Sequence, residues 1–84
     1  MSMYHYWLID YTPESYNAFR IPADNATDAV NYGHWFWKRV LTPSQRERRC
    51  AFFVCGGRSE HDDPSALDST TIDYKCDIKG YYAV

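Results

Sequence analysis

Three cysteines (Cys50, Cys55, Cys76) and three histidines (His5, His34, His61) are the side chains here with the chemistry to hold a metal or attack a substrate. Zinc sites draw on closely spaced pairs such as C-x2-C, which bring two thiolates to one tetrahedral ion. Cys50 and Cys55 instead stand at an odd separation in an apolar run, and in a strand that sends their sulfurs to opposite faces. Cys76 falls on the apolar side of an alternating segment. All three thiols therefore read as small buried hydrophobes, and neither a metal nor a cofactor is expected. His61 is flanked by Ser59, Asp62 and Asp63, the residue types of a nucleophile, base and orienter. Sequence neighbours in a polar loop do not hold the geometry that such a set needs. His34 and His5 have no evident acidic partner, and Gly56-Gly57 lacks the Lys and Ser or Thr of a phosphate-binding loop. No catalytic residue is assigned, and the chain does not read as an enzyme.

Recognition is the second chemistry on offer. The stretch HWFWKR, His34 to Arg39, sets three aromatic residues in a row within a helical pattern, and consecutive helical positions sweep about 200° around the axis. They cannot all face one core. At about 100° per residue from Ala26, a stripe of Val30, Gly33, Trp37 and Val40 faces inward, flanked by Ala29 and Leu41, with Phe36 at its edge. Trp35 falls about 180° away, beside Asp28, Asn31, Tyr32 and Arg39. An indole left in water forfeits roughly 2 to 3 kcal/mol of burial. Either the loop over 58–69 or the cations of Lys38 and Arg39 cover it, or it is a binding hot spot, for which Trp, Tyr and Arg are the favoured residues. The candidate partner-binding residues are Trp35, Tyr32, Arg39 and Asp28, with Arg46, Arg48 and Arg49 of the following QRERR segment.

The elements that must position these groups are legible in outline. Residues 3–11 (MYHYWLIDY) read as a strand buried on both faces, with Leu8 and Ile9 opposed. TPES is a turn, and YNAFRI forms the second arm of a hairpin, Phe19 and Ile21 on one side and Ala18 and Arg20 on the other, stopped by Pro22. Asn25 or Asp24 caps a helix that runs to about Leu41. LTPSQ then supplies a capping box, Thr42 with Gln45, for a short second helix to about Arg48. CAFFVCGG is a buried third strand. The polar segment 58–69 is a surface loop. The last segment, 70–84, alternates strictly and reads as one long strand whose buried face carries Ile72, Tyr74, Cys76, Ile78, Tyr82 and Val84. The fold class is α+β: one domain over residues 1–84, a small four-stranded antiparallel sheet with one main helix on one face, in the order β-β-α-β-β.

Composition narrows the function classes. A chain of 84 residues has a thin core, and aromatic residues at 18% of the sequence both fill such a core and supply interface anchors. The formal net charge of −2 disfavours a general nucleic-acid binder and falls far short of a polyanionic DNA mimic. It hides a segregation, because Lys38, Arg39, Arg46, Arg48, Arg49 and Arg58 lie together against Glu47 alone, while the remaining acids lie on either side of this block. The opening residues do not read as a signal peptide, no run is long enough for a membrane span, and an odd number of cysteines suits the cytoplasm.

The segment YHYWLIDYTPESYNAFRIPADNATDAVNYGHWFWKRVL, with its strand, turn, second strand ending FRIPA, Asp/Asn cap and ATDAV helix opener, resembles the front half of several small phage-encoded anti-CRISPR proteins. The resemblance spans about the first 41 residues and is one of layout. It implies a non-catalytic inhibitor that docks on a subunit of a type I CRISPR effector complex in the host cytoplasm and blocks target DNA binding or nuclease recruitment. The alternative is a small single-stranded nucleic-acid-binding protein, with KRVLTPSQRERR tracking phosphates, or a homo-oligomeric phage accessory protein that dimerises through its aromatics or its last strand.

Overall fold

The first strand, β1 (Met3–Tyr11), turns at Thr12–Ser15 into β2 (Tyr16–Ile21), and both keep the limits expected from their sequence. The computed structural model describes residues 3–60 and 71–81. In it the chain continues through α1 (Ala26–Trp35), a π-helical extension (Phe36–Val40), the short α2 (Pro43–Glu47), β3 (Ala51–Ser59), β4 (Ile72–Asp77) and one helical turn, α3 (Ile78–Tyr81). The strands form one antiparallel sheet in the order β2-β1-β3-β4, with α1 on one face. The architecture is the expected α+β fold. Among the described residues no helix is long and apolar enough to cross a membrane.

β1 lies inside the sheet and is buried on both sides. Tyr6 and Leu8 point toward the helix, into a cluster with Ile21, Ala29, Trp37, Leu41, Phe52, Val54 and Ile78. Trp7 and Ile9 point the other way, into a smaller cluster with Cys55 that Ala18, Phe53 and Ile72 edge. The period of two that separates Leu8 from Ile9 in the sequence is thus used twice over.

Local chemistry sets the helix ends. Asn25 Oδ1 accepts from the Asp28 N–H at 2.9 Å, and Asn25 Nδ2 donates to Asp28 Oδ2 at 3.1 Å. Thr42 and Gln45 form the reciprocal capping box, with bonds of 3.2 and 2.8 Å, and Pro43 occupies the first helical position. Between these caps the chain departs from the regular wheel. The Leu41 N–H reaches the Phe36 carbonyl at 3.0 Å, an i to i+5 bond that widens the last turn. Val40, expected on the core stripe, is 44% exposed, and Leu41 is buried instead. The inward positions run Ala29, Gly33, Trp37, Leu41. A spacing of four drifts by about 40° per step on an α-helix, and the wider turn takes up that drift.

The final segment differs from its reading as one long strand. β4 ends at Asp77, whose Oδ1 accepts from the Gly80 N–H at 2.8 Å and starts α3. The pairing shifts between Gly56 and Gly57, so that Tyr74 lies opposite Gly56 and Ile72 opposite Gly57. This bulge puts Ile72 on the other face from Tyr74 and Cys76. Gly57 permits the close approach, because a Cβ there would come within 2.9 Å of Ile72 Cα. Cys50 also departs from expectation: it is exposed just ahead of β3, while Cys55 is buried. Of the loop read over 58–69, Arg58 and Ser59 belong to β3, and residues 61–70 lie outside the described residues.

Gly33 sets how closely α1 sits on the sheet. A Cβ there would meet Val54 Cγ2 at 2.8 Å and Ile78 Cγ1 at 3.1 Å, groups from β3 and α3. Gly33→Ala should therefore destabilise the fold by about 1 to 3 kcal/mol in urea unfolding, although alanine is the better helix former. Beside it, His34 stacks on Tyr81 with ring centroids 5.0 Å apart. Burial, and then the Lys38 ammonium, lower its pKa from the ordinary 6.5. The unfolded chain thus binds this proton more readily than the folded one. The His34 contribution is complete above pH 6.5 and is lost as pH falls from there toward the folded pKa. Thermal melts should show the midpoint falling more steeply through that window in the native protein than in His34→Phe.

Candidate protein-binding surface

Four aromatic rings form a continuous ridge from the solvent face of α1 to the sheet edge. Trp35 lies 5.5 Å from Tyr32, Tyr32 lies 6.4 Å from Phe36, and Phe36 stacks on Phe19 of β2 at 6.4 Å. Phe36 also touches Phe52 at 5.8 Å, and Phe52 lies 5.1 Å from Trp37, so the ridge is anchored in the core. Trp35 is 51% exposed and Phe19 44% exposed, with Val40 adding to the apolar surface of the same helical segment. Rings held by their neighbours and already ordered lose little rotamer freedom when a partner covers them, which favours binding.

The structure separates the seven candidate residues. Trp35 and Arg39 are exposed, and Tyr32 is half-buried against Trp35. Asp28 is exposed and engaged with the Asn25 cap. Arg46 is half-buried and donates from Nε to the Leu41 carbonyl at 3.4 Å. Arg48 pairs at the surface with Glu14 at 2.8 Å. Arg49 is built into the fold: its Nη2 donates to Asp10 Oδ2 at 3.1 Å, its Nη1 to the Gln45 carbonyl at 3.1 Å, and its Nε lies 2.8 Å from Asp10 Oδ1. That last contact is an ion pair rather than an aligned hydrogen bond. Asp10, on β1, is buried, so this pair fastens the α2–β3 junction to the central strand. The ridge thus keeps Trp35 and Tyr32 of the sequence candidates and adds Phe19 and Phe36, while Arg39 and Val40 are exposed one helical turn after Trp35 and Phe36. Alternation places Phe19 on the helix side of β2, but its exposure follows from β2 being an edge, which is a matter of strand order.

A polar cleft of about 350 Å³ between the hairpin turn and α2 is lined by Asp10, Glu14, Arg48 and Arg49, whose charges are paired with one another as described. The Cys55 thiol is pushed up to about 11 by burial, against the pull of the Lys75 ammonium, and stays protonated at neutral pH. Tyr4 donates to Asp73 Oδ1, and burial together with that carboxylate raises its pKa. Among the described residues no group of three or more His, Cys, Asp or Glu side chains converges on a metal site.

No family model, curated protein or solved structure matches the chain.

The two indoles of HWFWKR should respond oppositely to truncation. Trp37→Ala removes a buried ring that packs on Phe52 and should cost about 3 to 5 kcal/mol in denaturant unfolding. Trp35→Ala removes only ridge contacts and should cost no more than about 1 kcal/mol.

Proposed function

We propose that the protein is a non-catalytic binding protein whose working surface is the ridge of Phe19, Tyr32, Trp35 and Phe36, with Arg39 at its rim, and that it acts as an inhibitor of a CRISPR effector complex. The observation that carries the binding reading is the half-exposed Trp35, held by Tyr32 and Phe36 on a helix that packs firmly on the sheet. Trp, Tyr and Arg dominate interface energetics. The identity of the partner rests on the layout shared with small anti-CRISPR proteins, which implies a subunit of a type I effector complex. Blocking target DNA binding or nuclease recruitment requires affinity alone. The described cysteines are free thiols, which suits action in a reducing cytoplasm, that of the host cell if the protein is phage-encoded.

Direct nucleic-acid binding is the weaker reading. Arg46, Arg48 and Arg49, which would track phosphates, are engaged by Leu41, Glu14 and Asp10, and the chain carries a net charge of −2.

Binding to a purified type I effector complex, measured by surface plasmon resonance, tests the proposal. Trp35→Ala and Arg39→Ala should each weaken it by about 30-fold or more, while circular dichroism and the melting midpoint stay near those of the native protein. Native-like affinity in Trp35→Ala would remove the ridge from the interface, and absence of binding by the native protein would remove the effector complex as partner. Affinity for single-stranded DNA that falls steeply with salt would favour the nucleic-acid reading instead.

A further inference from the structure

We propose that two copies of this chain associate by antiparallel pairing of their β2 edges, doubling the sheet about a twofold axis. The hydrogen-bond alternation of the first hairpin carries the argument. Thr12 and Ser15 exchange both backbone bonds, at 2.9 and 3.3 Å. Counting outward from that pair along the uninterrupted register, Asn17, Phe19 and Ile21 direct their N–H and C=O groups to β1, and Tyr16 and Ala18 direct theirs away from it. Among the described residues no strand pairs with the outer side of β2, which leaves it as a strand template.

Proteins guard such edges with proline, bulges or charged side chains. β2 uses none of these within its length. Pro22 comes after the strand, the pairing with β1 has no bulge, and the single charged residue, Arg20, folds its guanidinium back onto His5 Nδ1 at 2.6 Å and onto the carbonyls of Ile21 and Tyr6. Tyr16 is 60% exposed, and Phe19 adds its ring on the opposite face. The opposite edge, β4, is guarded: its register breaks at Gly56/Gly57, it exposes Asp73, Lys75 and Asp77, and it ends in a helical turn.

This asymmetry selects the occupant. An open edge paired with a guarded one, repeated head to tail, would give a filament, and the charges of β4 oppose that. Two open edges paired with each other close at two copies. The pairing is self-complementary, because about an axis beside Ala18 each Ala18 N–H meets the other copy's Ala18 carbonyl, and no like charges are forced together. An axis perpendicular to the sheet keeps both α1 helices on one face and brings the two Phe19 rings to the seam. The inference shares Phe19 with the ridge but does not depend on the inhibitor reading, since it uses neither Trp35 nor any other protein.

Sedimentation equilibrium of the native protein over a concentration series tests it, with Ala18→Pro and Tyr16→Lys as variants. Ala18→Pro removes an outward N–H without touching the bonds to β1, and Tyr16→Lys places a charge on the edge of each copy. The native protein should reach twice the monomer mass, and each variant should raise the dissociation constant by about tenfold or more. Far-UV circular dichroism should stay native-like in both. If Ala18→Pro fails to fold, Tyr16→Lys decides. A native protein that remains monomeric to millimolar concentration overturns the proposal and leaves the edge to a strand of another protein. A dimer indifferent to the folded variants, or growth beyond two copies, overturns it as well.

Discussion

A central strand whose Leu8 is buried on one side and whose Trp7 and Ile9 are buried on the other must be covered twice, within a chain of 84 residues. Among the described residues one main helix packs on it. α1 covers the Leu8 side and comes close enough only because Gly33 leaves room for Val54 and Ile78. On the Trp7 side, among the described residues, Ala18, Phe53 and Ile72 pack against the cluster, with the Lys75 ammonium 4.8 Å from the centre of the Phe53 ring. A helix pressed against a sheet presents a narrow inner stripe, and four residues fill it: Ala29, Gly33, Trp37 and Leu41. The rings that do not fit there, Trp35, Tyr32 and much of Phe36, are displaced to the surface, where they line up with Phe19. The same packing that stabilises the core produces the ridge.

Features set by a few neighbouring residues were legible in the sequence. Both strands of the first hairpin, a cap at Asn25 or Asp24 that the structure resolves to Asn25, the Thr42–Gln45 box and the outward Trp35 all depend on short-range spacing. Features set by contacts distant in sequence were not. The π turn exists because Trp37 and Leu41 must both reach Phe52 and its neighbours. The bulge opposite Gly56 and Gly57 reflects how β4 meets β3, and Ile78 leaves the strand to fill the space above Gly33. An alternating pattern alone carries none of this. The basic block shows the same division: its charge was visible, but the commitment of Arg49 to Asp10 required knowing that β1 and β3 are neighbours.

Charge and apolar surface are distributed by the same logic. The arginines of α2 and its C-terminal junction are drawn inward or across to the hairpin, which ties the α2–β3 connection down, while Arg39 stands exposed one helical turn beyond Trp35. A surface of rings with one exposed guanidinium is chemically narrower than a basic patch, and it selects for shape and apolar fit over bulk charge.

The pairing of Met3 with Ser59 has a consequence for how the chain is made. β1 precedes in the chain the strands it pairs with and is buried on both faces in the finished sheet, and its second neighbour, β3, begins only at Ala51. Until then β1 has only the hairpin arm β2 to lie against, with Trp7, Leu8 and Ile9 uncovered. Contacts this distant in sequence slow folding, since the entropy of closing the intervening loop is spent before any of them forms. The helical segment between Ala26 and Glu47 shortens that gap, because about 1.5 Å of rise per residue brings its ends nearer than an extended chain would. Its caps, useful to stability in the finished protein, thus also set the pace at which the sheet can close.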